Sequence, residues 1–368
     1  MDPNVLRLAM GAGASSGPEY KLYTWGAGSV GRLGLGNTTN YSSPKQVGAL
    51  SDWNVVACGS AHNLAIKTDG TLWAWGYNTL GSLGDGTTIN RSSPVQIGAL
   101  TNWSKVSGAF SSAAIKTDGT LWMWGFNSSG QLGLGDTTSR SSPVQVGSLT
   151  NWASVSADSS TAAIKTDGTL WTWGNAFFGQ NGLGNTTYYS SPKQVGSLTN
   201  WSKVSAGPLT MAAIKTDGTL WMWGDNASGQ LGLGNTTNYS SPVQVGALTT
   251  WSKVSASTTH TLAIKTDGTL WAWGSNQYGK LGIGNTTSYS SPKQVGALTT
   301  WSSLAIRPNQ SFAIKTDGTL WAWGNNGDGR LGLGDTTNRS SPVQVGALTI
   351  WDSVSAGLVH GAGITKQI

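Results

Sequence analysis

The sequence predicts an all-β protein, a seven-bladed β-propeller of four-stranded antiparallel blades. Three observations carry that prediction. The first is composition: 52 Gly, 20 Trp and only 10% charged residues in 368, where ordinary soluble proteins are about a quarter charged. Glycine costs each helical position about 1 kcal/mol relative to Ala, and the chain adds many Ser, Thr and Asn and a single Glu, so helices are disfavoured. The second is a repeat. The second Trp of Leu-Trp-x-Trp-Gly recurs at Trp75, Trp124, Trp173, Trp223, Trp273 and Trp323, with Trp25 as a seventh member in Leu-Tyr-Thr-Trp-Gly, always 49 or 50 residues apart. Such a period belongs to propeller blades or arrays, not to solenoid units of roughly 20 to 33 residues. The third is a split unit. Six complete units run from Trp53 to about residue 346, Trp351 to Ile368 supplies two further strands, and Tyr20 to Val47 supplies the two that complete them. Pairing the two fragments in one blade closes the ring and removes exposed sheet edges.

One unit shows how each element is specified. Trp251 to Ala256 alternates apolar and polar residues as a first strand, and His260 to Lys265 is a second. Thr266-Asp267-Gly268 is the turn between strands, expected as type I′ because Asp and especially Gly tolerate positive φ. Thr269 to Trp273 is the third strand; Trp271 and Trp273 are two apart and share one face. After a long Gly-rich loop, Pro292 to Val295 makes the fourth, where Pro without a ladder donor suits an outer edge. The paired Trp residues are expected to hold neighbouring blades together, each burying 150 to 250 Å² worth roughly 4 to 6 kcal/mol gross.

The unit Trp-Gly-x-Asn-x-x-Gly-x-Leu-Gly-x-Gly, followed by Ser-Pro-x-Gln-Val, Val-Ser-Ala-Gly-x-x-His and Asp-Gly-x-Leu-Trp, resembles the repeat of the regulator of chromosome condensation family. The resemblance covers residues 20–368; the double-Gly and Gly-His signatures of kelch and WD-type propellers are missing. It implies a seven-bladed propeller closed by its own termini. It also implies one of several functions: nucleotide exchange on a small nuclear GTPase, chromatin binding, or protein inhibition in secreted bacterial relatives. Fold alone does not choose among them.

Residues that carry chemistry elsewhere have plain explanations here. The 22 Lys and Arg face 16 acids and form no basic run, so no nucleic-acid footprint is expected. Cys58 is the only cysteine, which excludes an intramolecular disulfide and a Cys-based zinc site. His62, His260 and His360 fall at one place in the repeat, where other units put Ser111, Ser160, Thr210 and Gln310. That is a polar hydrogen-bonding slot at a strand start and not a convergent catalytic set. Asp69, Asp118, Asp167, Asp217, Asp267 and Asp317 are turn residues, and Asp225 and Asp328 show no paired carboxyl. Gly26 to Gly31 matches G-x-G-x-x-G, but the dinucleotide fingerprint requires a helix directly afterwards. Gly28 instead takes the place of Asn78, Asn127, Asn226, Asn276 and Asn326, and Gly and Asn both accept left-handed backbone. The expectation is a non-enzymatic chain without metal or cofactor.

Variation among units collects in two segments. One follows Trp-Gly and holds Tyr77, Phe126, Phe177, Phe178, Asp225, Tyr278 and Asp328; the other precedes Ala-Ile-Lys and holds Phe110, Met211, Arg307 and Asn309. In a four-stranded antiparallel blade both connections emerge on one face. These eleven residues are therefore the expected ligand-binding face, since aromatics beside adaptable polar groups suit protein or glycan recognition. Tyr41, Arg91, Arg140, Tyr189, Tyr239, Tyr289 and Arg339 are expected in the same long loops, as a rim.

Residues 1–19 read as an apolar, Gly-rich arm. Asp2 precedes and Arg7 interrupts its apolar stretch, so it does not make a secretory signal, and no apolar run approaches the roughly 18 residues of a membrane span. The arm resembles the starts of phage virion proteins. The main expectation is a virion surface component, a tail fibre, adhesin or decoration protein. Val5, Leu6, Leu8 and Met10 would anchor it to other virion proteins while the variable face meets host glycan or protein, without nucleic acid or membrane insertion. The alternative is a cytoplasmic scaffold or small-GTPase regulator, although no unit carries the inserted wedge that exchange activity implies.

Overall fold

In blade 5 the four strands fall at Trp251–Ala256, His260–Lys265, Leu270–Gly274 and Tyr289–Gln294. The first two match the expected bounds. The fourth begins three residues early because Tyr289 pairs with Gly274 before the register shifts and resumes at Lys293 opposite Ala272. Pro292 lies in that irregular stretch, where a missing donor costs no ladder bond. The series from Tyr41 to Arg339 therefore opens the fourth strands, correcting their expected place in the loops.

The turn also differs from expectation. Gly268 has φ +77°, but Asp267 does not share it, and Gly268 N–H donates to Lys265 O at 3.0 Å. This is a three-residue connection with Gly alone left-handed, not type I′. The reason is the Asp side chain: Asp267 Oδ1 accepts both the N–H (2.9 Å) and the hydroxyl (2.7 Å) of Thr269.

The computed structural model describes residues 17–368, so the anchoring residues expected at Val5, Leu6, Leu8 and Met10 lie outside the described residues. Seven four-stranded antiparallel sheets form the ring. We number them from blade 1 (53–96) through blades 2 (103–145), 3 (152–194), 4 (201–244), 5 (251–294) and 6 (301–344). Blade 7 joins Trp351–Ala356 and His360–Gln367 to Glu19–Gly26 and Tyr41–Gln46. There Glu19 to Gly26 pairs with Gln367 to His360 in unbroken register. Among the described residues the only helical turns are two three-residue 3-10 segments.

Each core lies between blades. Leu220, Met222 and Leu231 of blade 4 meet Trp251, Ala263 and Trp273 of blade 5. Trp273 Nε1–H donates to Gln230 O at 2.9 Å, and the same bond to the preceding blade recurs at all seven junctions, ending with Trp25 to Arg330 O at 3.0 Å. The glycine beneath each indole is obligatory: a Cβ on Gly232, at φ +73°, would lie 2.7 Å from Trp273 Nε1. First strands of successive blades pack side by side and enclose a central cavity of about 270 Å³.

Candidate functional site

Backbone hydrogen bonds bring the two variable segments together. The residue after Trp-Gly donates its N–H to the loop between first and second strands: Tyr77 to Ala61 O (3.0 Å), Asp225 to Leu209 O (2.9 Å), Ser275 to Thr259 O (2.7 Å) and Asn325 to Asn309 O (2.8 Å). Both segments thus lie on one face, and the nearly invariant Thr-Asp-Gly and Gly-Ala-Leu-Thr segments lie opposite, joined by bonds such as Trp301 N–H to Gly268 O at 3.1 Å.

The loops on the variable face are held from inside. Asn78 is buried, its Oδ1 accepts the N–H of Leu83 at 2.9 Å, and its Nδ2 donates to Thr87 O and Ile89 O at 3.1 Å. Asn127, Asn226, Asn276 and Asn326 make the equivalent bond to Leu132, Leu231, Leu281 and Leu331. None of them has positive φ, which corrects the left-handed reading; asparagine is needed for its side chain. Gly28 has φ −98°, and glycine is required there because a Cβ would sit 1.9 Å from Thr39 O.

Blade 3 departs from this pattern. Ala176 replaces the buried Asn, and Asn181 replaces the Leu and bonds Gly174 O at 3.1 Å. The altered loop carries Phe177 and Phe178 edge to face, ring centroids 4.8 Å apart, with Phe177 65% exposed. Phe110, 44% exposed, stands on the neighbouring blade 2 together with half-buried Phe126. These four make an aromatic sector. Tyr278 is exposed on blade 5 with φ +64°, a backbone state that bulky residues seldom adopt. Tyr77, Asn309 and Asp328 are half-buried, and Asp328 pairs with Arg330.

Three expected face residues are used by the scaffold. Met211 is fully buried in the core between blades 3 and 4 with Trp223, because its strand, Thr210–Lys215, is buried on both faces. Asp225 is largely buried, and its Oδ2 accepts Gln230 Nε2–H at 2.7 Å. Arg307 spans the central opening. It pairs with Asp158 of blade 3 at 2.6 Å and donates to Gly108 O at 2.7 Å and Ala356 O at 3.2 Å. Desolvation raises the Asp158 carboxyl against the pull of Arg307. Sequence reasoning missed Asp158. The signal was present: Asp158 and Arg307 stand where other units have Gly59, Gly207 and Gly357.

The histidines join blades. His62 Nε2 meets Ser112 Oγ at 2.9 Å, His260 meets Ser311 Oγ at 3.1 Å, and His360 meets Asn63 Oδ1 at 3.1 Å. Burial drives His62 down to about 3 and the other two well below the usual range. All three are neutral at pH 7. Among the described residues no three His, Cys, Asp or Glu side chains gather in a way that could hold a metal ion, and no helix is long and apolar enough to cross a membrane.

The RCC1-like domain pattern matches residues 21–363. The chain belongs to the RCC1-like domain family. Solved structures similar to this RCC1-like chain include Prp20p from Saccharomyces cerevisiae, described with its binding properties to Gsp1p and histones. It shows 20% identity and a TM-score of 0.84 over 94% of this chain and 91% of that one. Yeast RCC1 (Prp20) bound by Kap60 aligns at 19% identity and a TM-score of 0.85, covering 96% and 90%. Human WBSCR16 aligns at 18% identity and a TM-score of 0.83, covering 94% and 98%. At these identities the likeness concerns the fold.

Proposed function

We propose that this RCC1-like chain is a non-enzymatic protein-binding scaffold that recognises its partner through the variable face. The observation that carries the reading is the aromatic sector of Phe110, Phe126, Phe177 and Phe178 on adjacent blades, displayed on a rigid framework. Exposed aromatics on pre-organised loops supply contact area at low entropic cost. The yeast relative's description with Gsp1p and histones supports protein recognition and the scaffold or regulator reading over the virion reading. That virion reading rests on the leader and on a composition low in charge and rich in Ser, Thr, Asn and Trp. Among the described residues no blade carries an extra element that would act as a wedge, which favours a scaffold over an exchange factor.

The test is quantitative affinity enrichment from a lysate of the source cells. Wild type is compared with Phe110→Ala/Phe177→Ala and with Leu149→Ser on the opposite face, all three confirmed folded. Specific proteins enriched by wild type and by Leu149→Ser but lost with the double aromatic variant support the reading. Enrichment indifferent to the aromatic pair overturns it. Accelerated nucleotide release from a small GTPase by the purified chain would move the reading from scaffold to regulator.

A further inference from the structure

The lysines of the described residues fall into groups by partner, and one group has neither carboxylate nor ring. Lys67, Lys116, Lys165, Lys215, Lys265 and Lys315 lie over Trp rings. Lys45, Lys193, Lys293 and Lys366 lie over Tyr rings, and Lys21 pairs with Glu19. Lys280 is buried against Thr259 and Pro308. That leaves Lys105, Lys203 and Lys253, all exposed.

These three share one structural position. Each is the third residue of a first strand, on blades 2, 4 and 5, and each donates to a carbonyl of the neighbouring first strand, at Ala153, Ser252 and Ser302. By strand alternation they share a side with Ser107, Ser205 and Ser255, which line the central cavity. They stand where first strands begin, at the mouth opposite the variable face. Arg307 occupies the other end. The only acid on the seven first strands is Asp352, which lies in the register irregularity between Trp351 and Ser353. Burial and then the charge of Lys203 lower the pKa of Lys253.

We propose that this mouth is an anion site that binds a compact oligophosphate. Three ammonium groups offer point charges with rotatable donors, the way lysine meets phosphate. Their carbonyl bonds hold the stems along the wall, so little ordering remains to be done on binding. The site is independent of the variable face and of the protein-binding reading.

Calorimetric titration of the full chain with inorganic tripolyphosphate tests it. Wild type should show saturable binding that weakens as salt rises. Lys105→Ala/Lys203→Ala/Lys253→Ala should lose at least about tenfold in affinity with its charge-assisted hydrogen bonds, while arginine at the same positions retains binding. A matched control, Lys45→Ala/Lys193→Ala/Lys293→Ala, removes the same charge from the blade rims and should bind as wild type does. Absence of saturable binding by wild type, or equal loss in the control, would overturn the site. Should the triple alanine variant melt early, Lys203→Ala alone carries the same comparison.

Discussion

Burial decides the chemistry of individual residues in this chain. Cys58 is pushed up to about 12 by desolvation, so its thiol stays protonated. In native protein at pH 8 it should resist iodoacetamide and become alkylated only on unfolding; rapid native labelling would contradict its placement. The histidines set an acid limit. Because His62 binds its proton more weakly folded than unfolded, the unfolded chain takes up protons first as pH falls below about 6.5. Stability is therefore full above that value and declines toward about 3, with His62 alone costing about 2 kcal/mol at pH 5. Urea midpoints at pH 7 and pH 5 should differ accordingly, and His62→Gln should shrink the difference. The hydrogen-bonding role of this slot was legible where Thr210 and Gln310 replace His, but the buried Ser111 and Ser160 hydroxyls at the same place make no side-chain hydrogen bond. The burial of Met211 was not legible, since variability between units does not reveal that the second strand is covered on both faces.

At the scale of elements, the tryptophan seat and the Asp158–Arg307 bridge do separate work. Trp273→Phe removes an indole N–H, while the Thr261 hydroxyl still donates to Gln230 O at 2.9 Å, so the loss should be that of one hydrogen bond, about 1 kcal/mol. Gly232→Ala should cost more, since it combines a left-handed residue with a clash against the ring. Both are read from denaturant midpoints, and wild-type stability in either would contradict the seat. Arg307→Ala strands a buried carboxylate and should cost about 3 to 5 kcal/mol, whereas Asp158→Ala/Arg307→Ala together should recover part of that. Strand positions and the seven repeats were readable from period-two alternation and the spacing of Trp. The cross-channel bridge was hidden because its partners are 149 residues apart and meet only once the ring has closed.

The whole molecule depends on closure by eight paired residues, Glu19 to Gly26 against His360 to Gln367. Deleting residues 351–368 would bare a long strand edge on Glu19–Gly26 and open the core formed by Trp25, Phe312 and Trp351. Exposed edges template association, so the truncated chain should elute as aggregates in size-exclusion chromatography; a monomer with wild-type melting would contradict closure. The ring was legible in the sequence because the two terminal fragments are complementary halves of one unit. The partner was not, because the face is built from side chains that vary against a constant framework, and composition does not encode what they meet.

Site-specific photo-crosslinking tests partner recognition by the variable face most directly. With a benzophenone amino acid placed at Phe177 or, on the opposite face, at Leu149, irradiation in the source cells should yield discrete protein adducts from position 177 and none from position 149. Adducts confined to position 149, or equal at the two positions, would contradict it.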